Sequence, residues 1–225
     1  MVLRMAPGRK QVTAVVWDMD GTLIDSASVV PDAFRETVRA LGGTVRSTAE
    51  IVALYSLGPP VSMLTELLQR PCGDGEVDVY HEILARRAGA VMPCEGINSV
   101  LERLQGTVSL AVFTGASRRA AEILLGAAGL LDHFSVLVGG DEVGKPKPDP
   151  AGIRKACSLI PVDVDSAVYV GDAPTDLEAA RRAGVIGAAA GWGHLYDAAA
   201  PADLLLRSPG DLLACLAATN SDDSA

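Results

Sequence analysis

Short apolar runs alternate with helical patterns along most of this chain, and this alternation restricts its fold more than any other feature. Strands are predicted at 12–17, 108–113, 136–138, 167–170 and 185–189, with an edge strand at 203–206. Helices are predicted at 96–105, at 118–128, after Pro150, at 174–183 and at 209–217. Strands that alternate with helices build a parallel sheet that is covered on both faces. The sequence therefore predicts an α/β fold with a doubly wound parallel sheet.

Two carboxylates stand directly after the first predicted strand. Asp18 and Asp20 follow this strand and precede Gly21 and Thr22, which favour a turn. Open α/β sheets carry out chemistry at the carboxyl ends of their strands. One carboxylate there can attack an electrophile while the other moves a proton, the roles of nucleophile and general acid/base. An acidic pair that only caps a turn is the alternative.

A hydroxyl residue and a glycine end the second strongly apolar strand. Thr114, Gly115 and Ala116 follow it, and Ser117 precedes a helical pattern. Backbone N–H groups at the start of a helix lack intrahelical partners and attract anions. These residues are therefore candidates for binding a phosphate group. A simple N-cap role for Ser117 explains the same pattern.

Three prolines stiffen the loop at 144–150 and exclude a helix there, so its lysines stand on a rigid support. A cation beside two carboxylates would keep a nucleophile ionised and offset phosphate charge. We expect Lys145 to be that cation and Lys147 to be solvated.

Two further acids follow the strand at 167–170. Asp172 ends this strand, and Asp176 falls in the first turn of the next predicted helix. Together with Asp18 they would form a carboxylate cluster that needs a cation. A site of oxygen ligands only suits Mg²⁺, which keeps several waters and bridges to a substrate phosphate. Asp176 also suits a helix N-terminus for electrostatic reasons alone.

Four segments in this order resemble the signature motifs of the haloacid dehalogenase superfamily of phosphohydrolases. They are Asp-Met-Asp-Gly-Thr at 18–22, Thr-Gly at 114–115, Lys-Pro at 145–146 and Gly-Asp-Ala-Pro-Thr-Asp at 171–176. The resemblance extends over about 12–217 and is greatest to the phosphoglycolate-phosphatase-like group. It implies a Rossmann-like core with an inserted α-helical cap.

The resemblance also implies a role for each motif residue. Asp18 would attack phosphorus and become an aspartyl phosphate, and Asp20 would protonate the leaving oxygen and then activate water. Thr114 and the backbone N–H groups of Gly115 and Ala116 would hold the phosphoryl group. In-line positioning and charge stabilisation account for most of the catalysis of phosphoryl transfer.

For the remaining motif residues the resemblance implies charge neutralisation and metal binding. Lys145 would neutralise charge at the nucleophile and bind phosphate. Mg²⁺ would be bound by Asp18, Asp172, the backbone carbonyl of Asp20 and, directly or through water, Asp176.

The interval between the first and second motifs is long enough for a small domain. We expect the core at 11–24 and 94–217, a helical cap at 25–93, and flexible tails at 1–10 and 218–225. Cap helices are predicted over 31–41, 47–56, 60–69 and 76–91. The crossings between cap and core can act as hinges that close the cap over a substrate.

Three smaller features carry alternative interpretations. Asp25 could act at a hinge, although a turn role is favoured. The Gly58-Pro59-Pro60 loop resembles a cap loop that faces the active site in related phosphatases, and Leu57, Val61 and Met63 would then shape specificity. Trp192 lies within the segment 191–194, between two glycines. It could line the cleft but is expected to pack on the core.

Charge and hydropathy limit the partners. The net charge of −9 and the pI near 4.8 argue against a nucleic-acid backbone. A small phosphorylated metabolite can still bind, since a metal ion and a lysine reverse the field locally. No apolar run reaches the roughly 20 residues that cross a bilayer. With no signal-like N-terminus and four scattered cysteines, the expected location is cytoplasmic. The sequence does not distinguish a monomer from a homodimer.

The leading functional prediction is a Mg²⁺-dependent phosphatase acting on phosphoglycolate, a sugar phosphate or another small ester. Asp20 argues against dehalogenation, which needs no acid for a halide leaving group. A β-phosphoglucomutase-like phosphotransferase is an alternative, although Gly171 before Asp172 favours the phosphatase. A non-catalytic binding module is a third possibility. A looser resemblance to phosphatases of aminohydroxybenzoate synthesis extends the candidates to esters of specialised metabolism.

Overall fold

A computed structural model describes residues 11–221. It contains a six-stranded sheet and a separate two-stranded ribbon. The strands are β1 (Ala14–Trp17), β2 (Ile24–Asp25), β3 (Met92–Pro93), β4 (Ser109–Phe113), β5 (Val136–Val138), β6 (Ala167–Gly171), β7 (Ile186–Ala190) and β8 (Leu204–Leu206). The helices are α1 (Val29–Ala40), α2 (Thr48–Val52), α3 (Pro60–Leu68), α4 (Asp74–Arg87), α5 (Ile97–Leu104), α6 (Arg118–Ala127), α7 (Ala151–Leu159), α8 (Pro174–Ala183) and α9 (Gly210–Ser221).

The large sheet has the strand order β5-β4-β1-β6-β7-β8, and every pairing in it is parallel. The chain runs outward from β1 in both directions, so the strand order reverses on either side of β1. In open α/β sheets such a reversal leaves a crevice at the carboxyl ends of the strands. The predicted α/β class and doubly wound parallel sheet are confirmed.

The two faces of the sheet carry separate apolar cores. Val15 and Trp17 of β1 point into the larger core, and Ala14 and Val16 point into the smaller one, as the two-residue period of a strand requires. Helices α7 and α8 cover the smaller core, while α5, α6 and α9 cover the larger one. Because both faces are covered, β1, β4 and β6 read as almost continuous apolar runs.

The segment between β2 and β3 is helical and stands over the carboxyl edge of the sheet. Its two connections to the core pair as an antiparallel ribbon, Ile24 with Pro93 and Asp25 with Met92. Inside the segment, Phe34 of α1 stacks on Tyr80 of α4 with ring centroids 4.3 Å apart.

Some predicted boundaries differ from the observed ones. The helix predicted at 47–56 is divided into α2 and a 3₁₀ turn at Tyr55–Leu57. The helix predicted at 209–217 ends later than predicted, since α9 continues to Ser221. The predicted tails at 1–10 and 222–225 lie outside the described residues. No helix among residues 11–221 has the length and hydropathy needed to cross a membrane.

Candidate active site

Asp18 is placed by the sheet itself. Its backbone N–H donates to Val170 O at 2.8 Å, which extends the β1–β6 pairing by one residue and leaves the carboxylate at the strand tip. The chain then turns through Gly21, whose φ of +77° favours glycine. Asp20 accepts a short hydrogen bond from the Ser26 hydroxyl, which lies just beyond β2. The first motif therefore connects the sheet to the helical segment.

The lysine beside Asp18 is Lys147, and the prediction of Lys145 is wrong. Lys145 is exposed. Lys147 Nζ forms a short ion pair with Asp18 and lies 2.6 Å from Asp176 Oδ1. Its ammonium group also lies 5.2 Å from the centroid of the Phe113 ring. The expectation that Lys147 is solvated is wrong for the same reason.

Burial and charge act in opposite directions on this pair. Burial raises the pKa of Asp18, as do Asp176 and Asp172, whereas Lys147 lowers it. Burial alone would lower the pKa of Lys147, but Asp176 and Asp18 outweigh it and hold that pKa well above its usual value. Lys147 therefore stays protonated, and a further cation at Asp18 would favour its ionised form.

The loop after β4 presents donors to the same edge. Thr114 is buried, and its hydroxyl accepts from the Ala116 N–H at 3.1 Å. Ser117 caps α6 by accepting from the Ala120 N–H, as the simpler interpretation held, and it also lies 2.8 Å from His81 Nε2. Thr114, Gly115 and Ala116 line one cavity together with Asp18 and Lys147. Of the predicted phosphate-binding residues, Thr114, Gly115 and Ala116 are thus brought together beside Asp18, whereas Lys145 does not line this cavity.

Asp172 and Asp176 are both buried beneath that cavity. Asp172 Oδ2 accepts from the Leu195 N–H at 2.9 Å. Burial raises the pKa of Asp172 to about 6. The two oxygens of Asp176 accept from Lys147, and from the Ala173 N–H at 3.0 Å. Asp176 is therefore surrounded by protein donors.

Three carboxylates could hold a metal ion. Oxygens of Asp18, Asp172 and Asp176 lie within 4.8 Å of one another. Among the hydrogen bonds of the described residues, one oxygen of Asp18 and one of Asp172 accept none, while both oxygens of Asp176 do. A donor set of oxygens alone fits Mg²⁺ better than a softer metal.

The smaller features have mixed outcomes. Asp25 is exposed and accepts from the Ala27 N–H at 3.1 Å, a turn role. Trp192 packs against the larger core and donates to Thr22 O at 3.0 Å, so it does not line the cavity. Met63 lines the cavity as expected, but Leu57 and Val61 are exposed and do not.

Several residues at the site carried no local signal. Tyr169 is a core residue of β6 whose hydroxyl lies 3.0 Å from Phe113 O and 3.3 Å from Asp176 Oδ1. The backbone of Gly193 lies close to the Asp172 side chain, and the Leu195 N–H donates to its carboxylate. The position of Tyr169 within an apolar run predicts that it is buried, but nothing in the sequence indicates that Tyr169, Gly193 and Leu195 contact the site.

A family model described as haloacid dehalogenase-like hydrolase matches residues 12–184, and the chain belongs to that family. Among its relatives, phosphoglycolate phosphatase of Cupriavidus necator is 34% identical over 181 residues, which cover 77% of this chain and 78% of that protein. Validoxylamine A 7'-phosphate phosphatase of Streptomyces hygroscopicus is 31% identical and covers 85% of this chain and 92% of that protein.

A solved structure shares the fold closely. CbbY from Rhodobacter sphaeroides in complex with phosphate has a TM-score of 0.80 and 26% identity, covering 92% of this chain and all of that chain. The chain described here is accordingly an enzyme of the haloacid dehalogenase-like hydrolases, and the two relatives named above are phosphatases.

Proposed function

We propose that this enzyme is a Mg²⁺-dependent phosphatase that cleaves a small phosphorylated metabolite through an aspartyl phosphate on Asp18. One observation carries the proposal. The Lys147 ammonium joins Asp18 to Asp176, beside Asp172 and beneath a cavity that Thr114 also lines. A nucleophile, a fixed cation and anion-binding donors are the groups that phosphoryl transfer needs.

The reaction has two steps at phosphorus. In the first, a carboxylate oxygen of Asp18 forms a bond to phosphorus, the bond to the ester oxygen breaks, and protonated Asp20 gives its proton to that oxygen. In the second, a water oxygen attacks phosphorus, Asp20 takes its proton, and the bond to Asp18 breaks. Burial raises the pKa of Asp20, which favours the protonated form that the first step requires.

The transferring group is held by the loop after β4 and by Lys147. The Thr114 hydroxyl and the N–H groups of Gly115 and Ala116 lie at the end of β4, close to the start of α6. Donors there stabilise negative charge without reorganising. Lys147 has the role that was predicted for Lys145, which is to neutralise charge at Asp18 and to bind phosphate.

Mg²⁺ would be held by Asp18 and Asp172, together with the backbone carbonyl of Asp20, which the family resemblance implies. When bound, the ion supplies positive charge that offsets the charge of the phosphoryl group. Asp176 would have a different role. Its oxygens already accept from Lys147 and from the Ala173 N–H, so it would position Lys147 rather than bind the ion directly.

The helical segment at 25–93 acts as a cap that closes over the bound ester. It contributes Phe34, Tyr55 and Tyr80 to the cavity, while the core contributes the carboxylates. Closure by a cap excludes water and completes the site. The cap therefore selects the alcohol part of the substrate.

The test is the release of p-nitrophenol from p-nitrophenyl phosphate, with Mg²⁺ and again with EDTA. We expect activity with Mg²⁺ only, and its loss in Asp18→Asn. Asp25→Asn is the matched control and should stay within about twofold of the wild type, since its carboxylate is exposed. Borohydride reduction during turnover should convert residue 18 to homoserine, as expected of an aspartyl phosphate.

Three results would contradict the proposal: release that does not need a metal, full activity in Asp18→Asn, or no reduction product at residue 18. Interconversion of glucose 1-phosphate and glucose 6-phosphate faster than phosphate release would instead favour a phosphotransferase.

A further inference from the structure

The cavity above Asp18 and Asp20 has a chemically divided lining. Its volume is about 340 Å³, which suits a small metabolite. The core side carries the carboxylates and Lys147. The cap side is apolar and aromatic, and its larger side chains are Val30, Phe34, Val52, Tyr55, Met63 and Tyr80. The alcohol part of an ester whose phosphate lies at Asp18 must occupy the cap side.

The cap side carries no charge. Among the described residues that line the cavity, each charged one belongs to the core, and Lys147 is the single cation. Lys147 already pairs with Asp18 and Asp176. A carboxylate or a second phosphate on the alcohol part would therefore be buried without a cationic side chain to pair with it.

This lining favours an uncharged alcohol part over a charged one. Burial of an unpaired carboxylate is strongly unfavourable, because the group loses its hydration and gains no partner. Burial of apolar surface is favourable. The same lining that rejects an anion therefore stabilises an apolar group.

Two features on the cap side refine the shape and polarity that would be recognised. Phe34 and Tyr80 stack on one another and form an aromatic wall. The Tyr55 hydroxyl is buried and has no hydrogen-bond partner among the described residues. Burial raises the pKa of Tyr55, so this hydroxyl is a neutral donor. It can satisfy one polar atom of a substrate.

We infer that the alcohol released by this enzyme is uncharged and largely apolar. The substrate is then the phosphate monoester of a neutral alcohol or phenol, rather than phosphoglycolate or a bisphosphate. This inference rests on the proposed phosphatase function. It also separates this chain from its relative in Cupriavidus necator, whose name states phosphoglycolate as the substrate.

The first test compares esters that differ in charge alone. The pairs are 2-phosphoglycolate with its neutral amide, and 3-carboxyphenyl phosphate with 3-carbamoylphenyl phosphate. We expect kcat/KM to be about tenfold or more higher for the neutral member of each pair, since an unpaired buried charge costs at least that much. Equal values, or a preference for the acid, would overturn the inference and leave the phosphatase function intact.

The second test places a cation in the cavity. Ser56 lines the cavity and is exposed, so Ser56→Arg can be accommodated. Val61 is exposed on the neighbouring helix α3 and does not line the cavity, so Val61→Arg is the matched control. Ser56→Arg should raise the ratio of kcat/KM for 2-phosphoglycolate to that for its amide by about tenfold, and Val61→Arg should leave it unchanged.

An equal change of this ratio in both variants would show that added surface charge alone alters the preference. It would then contradict the inference that the uncharged cap side of the cavity selects the substrate. No hydrolysis of any of the four esters or of p-nitrophenyl phosphate would contradict the phosphatase function itself.

Discussion

Lys147 Nζ donates to Asp176 Oδ1 at 2.6 Å while it also contacts Asp18. One side chain therefore connects the tip of β1 to the first turn of α8. The ammonium group is almost enclosed, and it lies 5.2 Å from the centroid of the Phe113 ring and 5.5 Å from that of the Tyr169 ring. This connection gives the two lysines of one loop different roles, although they stand two residues apart.

The two lysines should respond differently to the same substitution. Lys147→Met removes the cation beside Asp18 and should lower kcat by about 100-fold or more. Lys145→Met removes an exposed charge and should change kcat by less than about twofold. Steady-state hydrolysis of p-nitrophenyl phosphate measures both, and a larger loss in Lys145→Met would contradict the assignment.

Asp172 and Asp176 should be distinguishable by their metal dependence. Asp172→Asn removes a proposed Mg²⁺ ligand and should raise the Mg²⁺ concentration for half-maximal activity by about tenfold or more. Asp176→Asn should lower kcat with a smaller change in that concentration, because Asp176 mainly positions Lys147. Mg²⁺ titrations of the two variants provide the comparison. The same shift in both would mean that Asp176 also binds the ion directly.

Asp20→Asn should slow alkyl esters more than aryl esters. An alkoxide needs a proton as it leaves, whereas p-nitrophenolate does not, so the loss of the acid should cost about 100-fold or more for an alkyl phosphate and less for p-nitrophenyl phosphate. Ser26→Ala, which removes the hydroxyl bonded to Asp20, should show the same preference more weakly. Equal losses for both esters would argue against Asp20 as the acid.

Gly193 and Gly126 offer a steric comparison. A Cβ at Gly193 would collide with Asp172, whereas a Cβ at Gly126 in α6 would meet nothing within 4 Å. Gly193→Ala should therefore weaken Mg²⁺-dependent activity by about tenfold or more. Gly126→Ala should keep activity and raise the free energy of unfolding by up to about 1 kcal/mol. Urea denaturation and activity assays check both variants, and normal Mg²⁺ dependence in Gly193→Ala would contradict the first expectation.

His81 should make stability depend on pH. It is buried, Nε2 lies 2.8 Å from Ser117 Oγ, and Nδ1 has no partner among the described residues. Burial lowers the pKa of His81, as does Arg119, while Asp78 and Asp141 oppose this. Protonation therefore costs more in the folded state than in the unfolded one. The neutral His81 side chain therefore contributes stability that is fully present above about pH 6.5 and is lost as the pH falls through the lowered pKa.

His81→Gln keeps an amide donor near Ser117 but does not titrate in this range, so it is the reference. We expect the urea midpoint of the wild type to fall relative to that of His81→Gln between about pH 7.5 and about pH 5.5. The difference between the two proteins is the readout, because the raised pKa values of Asp18 and Asp172 act in the opposite direction in both. Parallel midpoints would contradict the prediction.

Local pattern was sufficient for the strands that carry the chemistry. β1, β4 and β6 are buried on both faces, so they appear as apolar runs, and the polar residues that follow them mark the carboxyl edge of the sheet. Asp18, Thr114 and Asp172 could be identified on that basis. Helix α2 was predicted too long because the turn at Tyr55–Leu57 depends on how the cap packs.

The sequence by itself determined the α/β class, the order of the chemical motifs and the carboxylates at the strand tips, because these depend on periodicity and on residue type. Only the tertiary structure decided which lysine reaches Asp18, since Lys145 and Lys147 both precede a proline and differ only in the direction that the loop gives them. It also decided which cap side chains line the cavity. Those side chains come from separate helices, and only long-range packing brings Phe34, Tyr55 and Tyr80 together over Asp20.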